Sequence, residues 1–239
     1  MTAREAFFTI HSGLVREGPG DRDSLDWAVA QAGTGPDARV LDAGCGPGAD
    51  IASLLAHVPQ GHVTALDKHP DFVARVAEAH AADTRVTVRE GDMLAPDGLF
   101  DLIWSAGAIY NMGITPALIA WRRHLAPEGR VAFSDAAWRH DAPSATARAF
   151  WLEYPGMTDR AGIHAQVVAA GYTVIADRWL SDSAWAAYYT PLAARVSALR
   201  AAGDPALAEA LAETEAELAV WRDHGGDYGY LLVVAEPAA

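Results

Sequence analysis

The run VLDAGCGPGAD, Val40 to Asp50, constrains the fold more than any other stretch of the chain. A short apolar segment, three glycines at alternate positions (Gly44, Gly46 and Gly48) and the helical pattern ADIASLLAHV describe a buried strand, a tight turn and a helix. A turn of this kind lies at the carboxyl edge of an open α/β sheet, where such sheets bind ligands. Its glycines let backbone approach the ligand, and Ala49 permits close packing behind. Read from Gly44, the string also satisfies the loose dinucleotide pattern G-x-G-x-x-A. Two features weigh against a pyrophosphate: Asp42 stands two residues before the first glycine, and a third glycine occupies position 48. A carboxylate is badly placed beside phosphate but suits a positively charged ligand.

Around this turn the chain alternates strand and helix patterns. ARVLDAG, GHVTALD, RVTVREGD, FDLIWSA and GRVAFSD read as strands, with PDFVARVAEAHA and TPALIAWRRHL as helices between them. Successive βα units imply a parallel sheet covered by helices on both faces. Thr115 is placed to cap the helix after the fourth strand, with Pro116 in its first turn. Beyond Asp135 come helices at SATARAFWLEY and RAGIHAQVVAA, a strand at YTVIADRWL, a mostly helical stretch over 181–226 and a last strand at YGYLLVVAEP. A hairpin needs only a few connecting residues, so that stretch is an insertion. With 239 residues, 51% of them hydrophobic, one domain is expected. Within it, 1–34 forms an amino-terminal helical lid, 35–136 a ligand-binding core, 137–180 and 227–239 the rest of the sheet, and 181–226 a cap.

The start of the chain lacks the long apolar segment and cleavage signal of a secretory peptide, so a cytoplasmic protein without membrane contact is expected. The single cysteine, Cys45, allows neither an intrachain disulfide nor a cysteine-based zinc cluster, and no metal is expected. A net charge of −13 with no basic cluster disfavours nucleic acid.

VLDAGCGPG resembles the first motif of the class I S-adenosylmethionine-dependent methyltransferases, hydrophobic-hydrophobic-(Asp/Glu)-x-Gly-x-Gly-x-Gly, and the resemblance continues in order down the chain. Asp67 in VTALDKHPDF matches the acid that bonds both ribose hydroxyls in that family. Asp92 in VREGDML matches the acid near the adenine amino group, with Met93 beside the ring. FDLIWSAGAIYNMG matches the segment lining the methyl-transfer site. LAPEGRVAFSD matches the L-(K/R)-P-G-G turn and fifth strand, with Glu128 in place of the first glycine. A wider likeness, carried by GLVREGPGDRDSLDWAV, SDAAW and AGYTVIADRWLSDSAWAAYYTPL, is to a bacterial group of small-molecule methyltransferases of uncharacterised acceptor. The resemblance implies a Rossmann-like α/β fold, a seven-stranded mostly parallel sheet with an antiparallel last strand, plus the helical insertion before that strand. It implies S-adenosyl-L-methionine as cofactor, S-adenosyl-L-homocysteine as product, and a small-molecule acceptor. Candidate cofactor residues are Arg16, Asp42, Gly44, Cys45, Gly46, Gly48, Asp67, Lys68, Asp92, Met93 and Ser105.

In-line methyl transfer from a sulfonium requires alignment and exclusion of water more than a catalytic triad. Tyr110 and Asn111, after the fourth strand, are candidates for touching the reaction, although Tyr110 also fits as a core aromatic. His140 and His11 are candidate bases, with solvated surface histidines as the alternative. Tyr110, Trp138, Trp185, Tyr188 and Tyr189 are candidate acceptor contacts, the last three lining a pocket built by the insertion; an oligomer interface, with a homodimer, is the competing reading. Arg16 in REGPGD belongs either to a lid bearing a cation or to a solvated linker. An NAD(P)-dependent oxidoreductase and a non-catalytic binding module are the other functional classes, because fold alone does not prove catalysis.

Overall fold

The structure, a computed structural model, describes residues 1–239. Two helices precede the sheet. Helix α1 (Ala3–His11) starts in a capping box: the Thr2 hydroxyl accepts from the Glu5 N–H, and Glu5 accepts from the Thr2 N–H. Helix α2 (Arg22–Ala32) is capped by Asp21 and stopped by Gly33 in the left-handed region. The βα units follow as β1 (Arg39–Ala43), α3 (Ile51–His57), β2 (His62–Asp67), α4 (Pro70–Ala79), β3 (Val86–Glu90), β4 (Phe100–Ala106), α5 (Ile114–Trp121) and β5 (Leu125–Trp138). The remainder is α6 (Ala145–Phe150), the two-residue β6 (Thr158–Asp159), α7 (Arg160–Ala169), β7 (Tyr172–Trp179), α8 (Asp182–Ala202), α9 (Ala208–His224) and β8 (Tyr228–Pro237).

The strands lie in the order β3-β2-β1-β4-β5-β8-β7, and β6 adds a short parallel pairing to the end of β5. Strands β1 to β5 are parallel, whereas β8 runs antiparallel to both β5 and β7. The expected seven-stranded sheet with an antiparallel last strand is thus present, β6 being an eighth strand too short to be read from two residues. Chain order reverses between β1 and β4, and the carboxyl ends of those strands form the crevice in which open sheets bind ligands. Both faces are buried. Leu25, Val40, Leu54 and Trp104 lie in one apolar cluster, and Leu41, Ile103, Trp121 and Phe133 in the other, so the strands carry near-continuous apolar runs rather than alternation.

Two local expectations change. Gly113, not Thr115, is the N-cap of α5; the Thr115 hydroxyl instead donates to the Gln166 carbonyl at 3.0 Å, tying α5 to α7. A tertiary partner there outcompeted the local cap. In the LAPEGR turn Glu128 has φ 63°, the one non-glycine residue in the left-handed region. That region costs an L-residue roughly 1–2 kcal/mol, partly offset by the greater freedom of glycine in the unfolded chain. Glu128 is exposed, so Glu128→Gly is expected to stabilise the fold by about 0.5–1 kcal/mol, a rise of about 1–4 °C in thermal midpoint; scanning calorimetry checks this.

Candidate functional site

The turn after β1 is folded back onto β2: the N–H groups of Gly44 and Cys45 both donate to the Leu66 carbonyl, at 2.8 and 3.1 Å, and Gly48 N–H donates to the Cys45 carbonyl at 3.0 Å. Gly44 has φ 79°, and a Cβ there would stand 2.5 Å from the Ala108 Cβ, so only glycine lets the β1 turn and the loop after β4 approach each other. Between them opens a cavity of about 740 Å³, a volume within the range of small-molecule and cofactor sites.

Three carboxylates gather at the base of this turn. Asp42 is 3% exposed, and burial, reinforced by Asp50 and Asp67, pushes its carboxyl well above the usual range, with Arg16 pulling weakly the other way. Asp67, at the end of β2, is held by the loop itself: Oδ2 accepts from Gly46 N–H at 2.9 Å and Oδ1 from His69 N–H at 2.8 Å. Each oxygen keeps a lone pair for a further donor. Asp50 accepts from Arg16 at 2.8 Å through Oδ1 and from the Trp104 indole at 3.0 Å through Oδ2. Arg16 therefore joins the amino-terminal segment to the glycine turn in a mostly buried ion pair, which answers the linker reading: the segment is docked. Helix α1 covers the cavity above it. Phe8 lies edge-on to His69 and Phe72 of the α4 region, ring centres 5.7 and 5.9 Å away.

Of the residues singled out in the sequence, Arg16, Asp42, Gly44, Cys45, Gly46, Asp67, Lys68, Asp92, Met93, Tyr110 and Asn111 line this one cavity. Asp92 Oδ1 accepts from Leu94 N–H, and Met93 is anchored by the Trp121 indole donating to its carbonyl at 2.7 Å. Burial first, then Asp42 and Asp67, push the Cys45 thiol up, which keeps it un-ionised.

Several expectations are corrected. Gly48 faces α4 rather than the cavity: a Cβ there would lie 2.9 Å from a Val76 methyl, so its role is helix packing. Ser105 is fully buried and donates to the Ala43 carbonyl at 2.9 Å, bracing β4 against β1. His140 stands away from the cavity, half-exposed, with Nε2 3.1 Å from Asp227 Oδ1. Trp138 lies under the Arg148 guanidinium. Trp185, Tyr188 and Tyr189 are 5%, 7% and 3% exposed, and none lines the cavity. Trp185 packs edge-on against Tyr228 and Tyr230, Tyr189 stacks on Trp221, and the Tyr189 hydroxyl donates to Glu217. Their i, i+3, i+4 spacing marks the buried face of α8, where Trp185 and Tyr189 meet β8 and α9 and Tyr188 lies by His11 of α1. His11 pairs with Glu17, Nδ1 to Oε2 2.6 Å, and stacks on Phe7.

Lining residues not singled out in the sequence include Arg4, Phe7, Phe8, Glu17, Asp50, His69 and Phe72. Asp50 was open to discovery, since it ends the glycine run. Arg4, Phe7 and Phe8 enter through the docking of α1, Glu17 with the segment that Arg16 ties down, and His69 and Phe72 from the start of α4. No helix is long and apolar enough to cross a membrane, and no group of three or more His, Cys, Asp or Glu side chains is arranged to hold a metal ion.

Residues 40–129 match a family model described as a methyltransferase domain. The chain is similar to trans-aconitate 2-methyltransferase of Deinococcus radiodurans, 35% identical over 130 residues that cover 52% of this chain and 49% of the relative. It thus spans about half the length of that curated relative. Among solved structures, a SAM-dependent methyltransferase from Geobacter sulfurreducens in complex with S-adenosyl-L-homocysteine aligns with a TM-score of 0.83 at 20% identity, over 98% of each chain. The cyclase SpnF aligns with a TM-score of 0.76 at 18% identity, over 99% of this chain and 94% of its own. The fold is the Rossmann-like class I methyltransferase fold; that a cyclase shares it leaves the reaction to be argued from the site.

Proposed function

We propose that this chain, whose residues 40–129 match a methyltransferase domain, is an S-adenosylmethionine-dependent methyltransferase acting on a small-molecule acceptor. The carrying observation is the buried carboxylate of Asp42 under the glycine turn, with Asp50 and Asp67 beside it and one guanidinium, Arg16, among them. A dinucleotide pyrophosphate would add to the negative charge that already pushes the Asp42 carboxyl up, while an ammonium or sulfonium ligand would favour its ionised form. The oxidoreductase reading is disfavoured on that ground.

The residues present fit the cofactor. Asp42 and the turn from Gly44 to Gly46 would hold its amino-acid portion, Asp67 its ribose hydroxyls, and Asp92 with Met93 its adenine. The cofactor supplies an electrophilic methyl group on a sulfonium whose departure leaves a neutral thioether. The chain's part is to bind, align and exclude water: α1 covers the cavity, Phe8, His69 and Phe72 form an apolar wall, and Tyr110 and Asn111 stand at the end of β4 where an acceptor would be positioned. Residues 1–34 act as the lid. The cap role of 181–226 is indirect, since α8 and α9 support α1 and β8 from behind. The net charge of −13 opposes a nucleic-acid partner, and the cytoplasm is the compartment we infer.

Calorimetric titration with S-adenosylhomocysteine and with NAD, both to millimolar concentration, tests the reading. Heat from the first and none from the second is expected. NAD binding without S-adenosylhomocysteine binding would overturn it.

A further inference from the structure

Behind the cavity floor lies a group of buried polar side chains that the function above leaves unused. Asp135, near the end of β5, is 1% exposed; its carboxylate accepts from the Tyr154 hydroxyl at 2.7 Å and from the Ala136 N–H at 2.8 Å. No arginine, lysine or histidine pairs with it, and burial outweighs both hydrogen bonds, pushing its carboxyl up to about 6. The titratable groups around it are the phenols of Tyr154 and, on β8, Tyr230, both raised above their ordinary value by burial and then by neighbours that include Asp135.

Both phenols adjoin residues that line the cavity without lining it themselves. The Tyr154 ring lies against that of Tyr110, a lining residue, with centres 5.8 Å apart. Tyr230 lies directly under Gly107, another lining residue: a Cβ on Gly107 would stand 3.0 Å from the Tyr230 ring and 3.8 Å from its hydroxyl oxygen. Tyr230 is 9% exposed, and its hydroxyl makes no hydrogen bond within the chain, while Trp185 packs its ring from behind. A carboxylate without a cation, a phenol without a partner and the rings of Tyr154 and Tyr230 thus back the end of the cavity formed by the loop after β4, with Tyr110 and Gly107 of the lining in front of them.

We propose that this end of the cavity, the recess lined by Tyr110 and Gly107 and backed by these groups, receives an organic ammonium group, which makes the acceptor an amine-bearing small molecule; the inference rests on the methyltransferase reading of the same cavity. Phenol oxygens accept from N–H donors, ring faces attract cations, and in a water-poor recess the charge of Asp135 acts at longer range than in solvent. An anionic acceptor would face Asp135 and Glu17 together. The cations lining the cavity stand elsewhere: Arg4 on α1, Lys68 after β2, and Arg16, already committed to Asp50. The docking group need not be the atom methylated.

Benzylamine, benzyl alcohol and benzoate differ chiefly in charge and serve as probes. Each is titrated calorimetrically at pH 8 into the protein saturated with S-adenosylhomocysteine and, separately, into the protein alone. Benzylamine is expected to bind at least tenfold more tightly than the other two. Asp135→Asn should cut that preference below threefold, and Tyr230→Phe should weaken benzylamine alone, with S-adenosylhomocysteine affinity changed less than twofold in both. Equal affinity for the three probes, tighter benzoate, or an unaltered preference in Asp135→Asn overturns the proposal. If S-adenosylhomocysteine itself fails to bind, the methyltransferase reading falls, and the titrations without it still decide the recess.

Discussion

Asp67→Ala is expected to weaken S-adenosylhomocysteine binding by about 1.5–3 kcal/mol, the range for hydrogen bonds to a charged group, or roughly ten- to a hundredfold in dissociation constant. Two losses combine. The ribose hydroxyls would lose the acceptor proposed for them, and the glycine turn loses the brace that Asp67 supplies through Gly46 N–H and His69 N–H. Both backbone groups belong to half-buried residues, so water can replace the carboxylate and the fold should survive with a penalty of about 1 kcal/mol. Calorimetry for the ligand and a urea transition for the fold separate the two effects. An unchanged dissociation constant would remove Asp67 from the cofactor site.

Asp135→Asn is expected to stabilise the protein at neutral pH. The folded-state carboxyl lies near 6, against an ordinary value of 3.8. Between those values the native state binds more protons than the unfolded state, so wild-type stability falls as pH rises from about 4 to about 6 and stays low above. A shift of about two units corresponds to roughly 3 kcal/mol at pH 8. Asparagine keeps both contacts, its oxygen accepting from Ala136 N–H and its amide donating to the Tyr154 oxygen, without the charge. The expected gain is about 1–3 kcal/mol at pH 8, smaller by about 1–1.5 kcal/mol at pH 5. Chemical denaturation of both proteins at the two pH values measures it. A destabilised variant, or a difference independent of pH, would mean that the Asp135 charge is already compensated in the folded chain. A charge retained at such a cost is what a cation-binding recess requires.

The part of the candidate site around the glycine turn was legible because its geometry is local. A strand, a turn and a helix place Asp42, the glycines, Asp67 and Asp92 at corresponding positions of successive βα units, and parallel strands bring those positions to one edge. Glu128 shows the same locality: a position that favours glycine was recognisable by its motif, and its φ of 63° bears this out. The rest of the cavity was not legible in this way. The aromatic face of α8 was visible as a period, yet a period tells which residues are buried and not against what, so Trp185, Tyr188 and Tyr189 were assigned to a cavity, whereas Trp185 packs on β8, Tyr189 on α9 and Tyr188 beside His11 of α1.

What the sequence determined by itself is therefore the sheet's rhythm, the glycine turn and the acids at the strand ends, each dictated by backbone sterics and the spacing of apolar residues. Tertiary structure alone decided that α1 closes the cavity with Phe7 and Phe8, that Arg16 meets Asp50 across 34 positions, and that Asp135 lies buried against Tyr154 without a cation. These depend on how whole elements dock. Docking is settled by summed burial and charge over many residues, which no single stretch of chain contains.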